Sequence, residues 1–298
     1  MTRSSTPALS DLFQTLLPRL RCPRCASGSL SLNGDALTCG ECSSRFPVDE
    51  GIPLLAVPGS TRTWMTPDEE GGVDPRWADD PYQLSGDKYQ EEYQDVAEAR
   101  KYNEAYQKRP TKRWSTNREH RLLRQLLGSQ PRSEVLLDLP SGGGRLSPVL
   151  EEYADVLVEA DIGLGQLHYA RRNHPADQND RVWMTASGYH IPFQDGSVDG
   201  VVCCRLCHHL PTPEERERLL SELLRVSRRF VIMTYFDYHS VKNYVRRLRQ
   251  PFDGQPPKMT MTTDGVRELA RSHGAELVTQ PPLSRLFSGH RYGLMVKR

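Results

Sequence analysis

The chain has 298 residues, with 39 Lys or Arg against 38 Asp or Glu, so its formal net charge is only +1. This near-neutral charge excludes a global attraction to nucleic acid or an anionic membrane and leaves only local basic patches as a possibility. No apolar run is long enough to cross a bilayer, and residues 1–10 lack the apolar core of a secretion signal. We therefore predict a cytoplasmic protein with no membrane partner.

Two close cysteine pairs lie near the N-terminus. Cys22 and Cys25 form one CxxC pair, and Cys39 and Cys42 form the other. Two such pairs can place four thiolates around one metal, and zinc is the usual occupant in a reducing compartment. Four protein ligands leave no open position, so the zinc is predicted to be structural. A redox dithiol would need only one pair, and a rubredoxin-like iron site would have a longer interval.

The segment after the cysteines completes this first region. Residues 45–55 have the sequence RFPVDEGIPLL, which predicts a short strand, a turn and an apolar stretch. Together with the cysteine pairs, this sequence resembles the small zinc-ribbon protein that activates several tRNA, rRNA and protein methyltransferases. The resemblance covers about residues 20–57 and implies a β-rich zinc ribbon. The spacing of Leu12, Leu16, Leu17 and Leu20 predicts a short leading helix, so the first domain is predicted over residues 1–57. Residues 58–86 are rich in Pro, Gly, Asp, Glu and Thr and are predicted to be a linker or lid.

Helical patterns follow the linker. Tyrosines mark an amphipathic region from Tyr89 to Tyr106, and a second helix is predicted over residues 118–127. Packing against the core and contact with a substrate are equally open for the tyrosines.

A strand, a glycine turn and a helix are predicted over residues 135–150, which read VLLDLPSGGGRLSPVL. Bare glycines allow a tight turn and close approach of a ligand to the backbone, although a glycine loop alone is weak evidence. The next predicted strand, residues 156–161, ends in Asp161. An acid at this place could hold ribose hydroxyls, cap the following helix, or do both.

Four ordered motifs resemble those of class I S-adenosylmethionine-dependent methyltransferases. Residues 137–145 (LDLPSGGGR) and 159–162 (EADI) resemble the first two motifs, and residues 191–210 (IPFQDGSVDGVVCCRLCHHL) the third and fourth. Residues 225–227 (RVS) match the RVL before the fifth strand of the family. The resemblance spans roughly residues 95–298, implies S-adenosylmethionine as the cofactor, and predicts a methyltransferase domain over residues 87–298.

The predicted fold is α/β, a Rossmann-like, doubly wound, seven-stranded methyltransferase sheet with a small N-terminal zinc-ribbon domain. Strands alternating with helices predict a parallel sheet that binds ligands at the carboxyl ends of its strands. The five predicted core strands are 135–139, 156–161, 181–185, 198–204 and 230–234. Segments near 276–279 and 292–297 would add the antiparallel hairpin typical of the family.

The resemblance also implies roles for individual residues. Asp138 would contact the cofactor ammonium or a water bound to it. Asp161 would bind the ribose, with Glu159 as the alternative, and Ile162 would pack against the adenine. Two positions depart from the family pattern: Pro140 replaces the first glycine, and Ser187 replaces the acid that faces the adenine amine. The predicted cofactor contacts are Asp138, Pro140, Ser141, Gly142, Gly144, Asp161, Ile162, Ser187, Gly188 and Cys203.

The residues that would contact the methyl acceptor are less well defined by the sequence. His208 and His209 follow the fourth core strand and are candidates for a general base, although one of such a pair more often packs inward while the other faces solvent. The basic run 242–249 could contact phosphate on RNA or on a metabolite, or it could be a solvated helix face with Tyr244 and Leu248 turned inward.

Three functions are compatible with these patterns. The leading prediction is a methyltransferase acting on a small metabolite or biosynthetic intermediate. The second is an RNA methyltransferase whose ribbon helps to hold rRNA or tRNA. The third is a non-catalytic scaffold that has lost its cofactor because of Pro140 and Ser187. The acceptor atom and the oligomeric state are left open by the sequence.

Overall fold

The computed structural model describes residues 9–26, 29–56, 94–174, 181–253 and 259–298. These residues form a four-stranded sheet and a seven-stranded sheet. The predicted linker or lid, residues 58–86, lies outside the described residues, as does Tyr89. None of the helices in the described ranges combines the length and apolarity needed to span a bilayer.

The N-terminal region is a short helix followed by an antiparallel β-sheet, in agreement with the predicted zinc ribbon. Helix α1 begins after Ser10, whose side chain caps it by accepting a hydrogen bond from the Phe13 amide. Gly34 has a φ of +64° in the turn between the first two strands, a conformation that glycine adopts without strain. The elements are α1 (Asp11–Leu16), β1 (Leu30–Asn33), β2 (Ala36–Cys39), β3 (Arg45–Asp49) and β4 (Ile52–Pro53).

The seven-stranded sheet confirms the predicted methyltransferase architecture. Its strands are β5 (Ser133–Asp138), β6 (Ala154–Asp161), β7 (Arg181–Thr185), β8 (Val198–Cys203), β9 (Ser227–Phe236), β10 (Ala275–Thr279) and β11 (His290–Lys297). Their order is β10-β11-β9-β8-β5-β6-β7. Strands β5 to β9 pair in parallel, and β11 is antiparallel to both β9 and β10.

Strand β9 is longer than predicted at its beginning. It includes Arg228 and Arg229, which the apolar pattern left out of the strand. Both guanidinium groups form ion pairs with the buried Asp199 carboxylate of β8. The polar start of β9 is therefore held in the sheet by charge pairing.

Helices cover both faces of the sheet, as a doubly wound fold requires. They are α2 (Val96–Lys108), α3 (Pro110–Leu127), α4 (Ser147–Leu150), α5 (Leu164–Asn173), α6 (Pro213–Val226), α7 (Val241–Asp253) and α8 (Thr263–Ser272). Helix α3 begins eight residues before the predicted start at Arg118, because Pro110 is well tolerated in a first helical turn. One apolar cluster contains Leu123 and Leu136, and a second contains Leu223 and Val201.

The ribbon packs against the edge of the large sheet at β7. Leu54 forms a parallel bridge with Thr185, and the Ala56 amide donates a hydrogen bond of 3.0 Å to the Thr185 hydroxyl. Ile52 and Leu54 also pack with Leu164 and Leu167 of α5. Since α5 follows the end of β6, the ribbon supports the segment predicted to hold the cofactor ribose.

Candidate active site

A cavity of about 490 Å³ opens at the carboxyl ends of the central strands. The loops after β5, β7 and β8 form its walls, and Tyr102 and Tyr106 of α2 face it from the other side. A cavity at the point where the strand order reverses is the usual ligand site of doubly wound sheets. The two tyrosines therefore line the cavity, and their contact with a substrate remains a prediction.

Most of the predicted cofactor contacts lie in these walls. They are Pro140, Ser141, Gly142, Ile162, Ser187 and Gly188. The Pro140 ring is part of the wall, and the cavity beside it remains open. The departures at Pro140 and Ser187 therefore change the lining without filling the site.

Four predicted contacts, Asp138, Gly144, Asp161 and Cys203, do not line the cavity, and for two of them a neighbouring residue lines it instead. Cys203 is the last residue of β8 and is fully buried in the core, whereas Cys204 lines the cavity. Gly144 has a φ of +76°, and a side chain there would meet Ser147 at 3.1 Å, so it faces α4. Gly143 lines the cavity in its place. Successive side chains of a strand point to opposite faces, which is why the buried Cys203 and the cavity-lining Cys204 differ.

Asp138 lies immediately behind the wall. Its side chain is fully buried, and neither carboxylate oxygen has a hydrogen-bond partner among the described residues. Burial, and then the nearby Glu159 carboxylate, raise the pKa of Asp138 well above its usual value. Acceptor atoms without partners at this position fit a ligand that brings an ammonium group or a bound water.

Asp161 organises the loops on both sides of it. One carboxylate oxygen accepts a hydrogen bond of 2.8 Å from the Gly142 amide, and the other accepts one of 2.8 Å from the Gly163 amide at the start of α5. Burial raises the pKa of Asp161 to about 6, despite these hydrogen bonds. The alternative, Glu159, accepts a hydrogen bond from the Ser147 hydroxyl of α4. Only Asp161 is bonded to a residue of the cavity wall.

Helix α2 packs directly against the glycine loop through Asn103, a residue that the sequence analysis did not identify. A side chain at Gly143 would come within 2.3 Å of the Asn103 amide nitrogen, so glycine is required for this close approach. The same amide donates hydrogen bonds to the Ala99 carbonyl (2.8 Å) and the Gln166 side chain (2.7 Å). The helix is thus fixed as a cover over the cavity. The only signal in the sequence was a polar residue within the tyrosine-marked helix.

A buried charge network borders the cavity, and the sequence analysis did not identify it. Glu119 of α3 is completely buried and pairs with Arg145 and Arg205, both of which line the cavity. The Tyr292 hydroxyl also donates to Glu119. Burial favours protonation of Glu119, but the two guanidinium groups hold its pKa at about 2. Arg205 has a φ of +66°, an uncommon conformation for a residue with a side chain.

The two predicted histidines belong to an aromatic cluster beside the cavity. His208 and His209 line it, with ring centroids 4.3 Å apart. His208 also contacts Phe236 at 4.3 Å and His290 at 4.9 Å. Burial, followed by the charge of Arg205, lowers the pKa of His290 to about 3, so this ring is neutral at physiological pH. A catalytic role for His208 or His209 remains a prediction.

The four cysteines of the ribbon converge on one point. Their sulfur atoms all lie within 4.8 Å of one another. The Sγ atoms of Cys25 and Cys39 are 3.6 Å apart, and those of Cys22 and Cys42 are 3.7 Å apart. All four are free thiols, and the distances fit tetrahedral coordination of one ion such as zinc.

The sheet order and the position of the cavity define the fold of the class I methyltransferases. The structure is similar to magnesium protoporphyrin IX methyltransferase from Synechocystis PCC 6803, with a TM-score of 0.59 and 16% identity over 71% of this chain and 99% of that one. It is also similar to a chain of the complex between the Haloferax volcanii Trm112 methyltransferase activator and a methyltransferase. For that chain the TM-score is 0.50 and the identity 16%, over 67% of this chain and 95% of the other.

The sequence comparisons agree with the fold. Residues 137–231 match the family described as "Methyltransferase domain". The chain is also 29% identical, over 108 residues, to an uncharacterized methyltransferase of Mycobacteroides abscessus. That match covers 36% of this chain and 40% of the relative, so the chain spans less than half of the relative's length. The family match of residues 137–231 and the fold therefore agree with the methyltransferase resemblance found in the motifs.

Proposed function

We propose that the protein is an S-adenosylmethionine-dependent methyltransferase that acts on a small metabolite or biosynthetic intermediate. The observation that carries this proposal is one cavity lined by two chemically different sets of residues. We call the glycine loop with Ser187 its cofactor end, and Arg205 with the two histidines its acceptor end. Such a cavity can hold a cofactor and an acceptor side by side.

The residues of the first end fit the cofactor. The cofactor would supply an activated methyl group on a sulfonium. The Ser141 and Gly142 amides would contact its amino-acid end, Asp161 its ribose, and Ile162 its adenine. The hydroxyl of Ser187 or the carbonyl of Gly188 would receive the adenine amine. A carboxylate already ordered by two amides needs little reorganisation to bind a diol.

The size of the whole cavity supports a small acceptor. Helix α2 covers the cavity, and its total volume of about 490 Å³, which the cofactor would share, is in the usual range for small-molecule sites. Methyl transfer neutralises the cationic donor, so an enclosed site with little water favours the reaction. If the acceptor carries a proton, His208 or His209 would remove it.

The ribbon favours a second candidate, an RNA methyltransferase. The four-cysteine cluster resembles that of an activator of RNA and protein methyltransferases, and one similar structure is a complex with such an activator. In this chain the ribbon would bind structural zinc and support the domain at β7. RNA retention that falls steeply with added salt would favour this candidate over the small acceptor.

Cofactor binding can be measured directly. Calorimetry with S-adenosylmethionine is expected to show a single site, and Asp161→Ala is expected to weaken its affinity about tenfold or more, because charge-assisted hydrogen bonds to the ribose are lost. Asp155→Ala, on the same strand but exposed, serves as the matched control and should bind as the wild type does. If Asp161→Ala has the same dissociation constant for the cofactor as the wild type, Glu159 would be the residue that binds the ribose. No heat at millimolar cofactor would favour a non-catalytic scaffold.

The affinity is also expected to depend on pH through Asp161. Its pKa is raised to about 6 in the free protein, and ribose hydroxyls donate best to the charged carboxylate. Cofactor binding should therefore weaken as the pH falls through about 6, by roughly threefold to tenfold near pH 5. Titrations of wild type and Asp161→Asn over this range test the assignment. The affinity should depend less on pH in the variant than in the wild type. An equal pH dependence in both would mean that another group causes it.

A further inference from the structure

Helix α7 presents its apolar side chains to solvent. Val241, Tyr244, Val245, Leu248 and Phe252 recur at intervals of three or four residues and therefore lie on one side of the helix. Their exposed fractions range from 44% for Val245 to 90% for Phe252. We call these five residues the apolar face of α7. The predicted alternative in which Tyr244 and Leu248 turn inward is wrong, because they are 55% and 57% exposed.

The side of α7 that packs on the protein is polar. Asn243 is buried and donates a hydrogen bond of 2.9 Å to the Asp237 carbonyl. Arg246 donates to Asn243 at 2.9 Å, and Arg247 lies 3.9 Å from the Tyr238 ring. A helix on a globular protein normally buries its apolar side. In α7 the polar side packs on the protein and the apolar side faces solvent. We therefore expect the apolar face to bind another apolar surface.

A neighbouring loop enlarges this surface. Leu286 and Phe287 are 61% and 71% exposed. The Lys242 ammonium donates a hydrogen bond of 3.0 Å to the Phe287 carbonyl, which fixes the loop beside the start of α7. A cluster of this kind differs from apolar residues scattered singly over a surface and marks an interaction site.

Positive charge surrounds the apolar residues. Helix α7 contains four basic residues and one acid, Asp253 at its end, and Arg285 adds another cation beside the loop. Lys242 and Arg249 are exposed on one flank of the apolar face. The net charge of +1 for the whole chain therefore conceals a local cationic rim.

We propose that the apolar face of α7, together with Leu286 and Phe287, docks on an anionic lipid membrane. Apolar side chains bordered by Lys and Arg match the boundary between acyl chains and anionic headgroups. RNA would satisfy the cations but would leave Leu248 and Phe252 exposed to water. Arg246 lies 5.7 Å from the Phe236 ring, which contacts His208, so the docked surface is close to the acceptor end of the cavity.

Vesicle co-sedimentation of the full chain tests this proposal independently of methyl transfer. The protein is expected to bind phosphatidylcholine vesicles that contain about 30% phosphatidylglycerol, to bind pure phosphatidylcholine much more weakly, and to dissociate as salt is added. Leu248→Ser with Phe287→Ser should reduce binding about tenfold or more, because buried apolar area is lost. Lys242→Glu with Arg249→Glu should reduce it by a similar factor.

Two exposed residues elsewhere provide controls. Leu32→Ser on the ribbon and Arg121→Glu on α3 should bind vesicles as the wild type does. Circular dichroism and thermal melting of each variant verify that it is folded. The proposal is overturned if wild type does not bind the anionic vesicles, or if the folded Leu248→Ser, Phe287→Ser variant binds as wild type does. It is also overturned if the surface instead mediates self-association or salt-sensitive RNA retention without vesicle binding.

Discussion

If the four-cysteine cluster binds zinc as proposed, removal of the metal is expected to unfold the ribbon and weaken the methyltransferase domain. Zinc coordination contributes about 10–16 kcal/mol to small zinc modules, so a ribbon of four short strands should not survive without it. Cys22 and Cys39 belong to the same apolar cluster as Phe193 of the large domain, and Leu20 forms a bridge with Phe193. Loss of the ribbon would therefore expose part of the main core.

The effect should extend to the cofactor site. Leu54 is bridged to β7 and packs on Leu164 at the start of α5, shortly after Asp161. Without this support we expect the melting temperature to fall by about 10 °C or more and the affinity for S-adenosylmethionine to fall with it. Metal analysis, thermal melting with and without a chelator, and calorimetry measure the three quantities.

A matched variant separates metal loss from cysteine loss. Cys39→Ser should reproduce the effect of the chelator, whereas Cys207→Ala, at a buried thiol outside the cluster, should retain the metal. Less than half an equivalent of zinc in freshly purified protein would count against the structural zinc. So would an unchanged melting temperature after complete chelation.

The strands and the cysteine cluster could be predicted because their signals are local. Each core strand is an apolar run, as in residues 135–139, and the ligand pairs Cys22/Cys25 and Cys39/Cys42 have a fixed short spacing. The end of each strand then identifies the edge of the sheet where ligands bind, which is why most of the predicted cofactor contacts line the cavity.

The remaining features depend on residues distant in sequence. Glu119 meets Arg145 and Arg205 only because α3 and the loops after β5 and β8 converge, and nothing in the local pattern of α3 indicates such partners. Packing of the ribbon on β7 is equally non-local. For the basic run 242–249, a helix with Tyr244 and Leu248 turned inward was one of two predicted alternatives. The segment is helical, but both side chains are exposed, and nothing in the local pattern indicates this.

Glu119→Gln is expected to destabilise the fold by about 3–5 kcal/mol. Removing one partner of a buried ion pair leaves an uncompensated charge, and here two guanidinium groups lose their shared carboxylate. An exposed pair gives the comparison: Glu152→Gln removes the partner of Arg124 and should cost less than about 1 kcal/mol. Urea denaturation of both variants and the wild type measures the difference.

The pH dependence of stability identifies the charge itself as the cause. The pKa of Glu119 is about 2 in the folded protein, below its usual value of 4.5, so its contribution is present above about pH 4.5 and is lost as the pH falls toward 2. Wild-type protein should lose stability in that range, and Glu119→Gln should lose less. A variant within about 1 kcal/mol of wild type near neutral pH would show that Arg145 and Arg205 are sufficiently solvated without Glu119. In that case these arginines would be available to bind an anionic acceptor in the cavity.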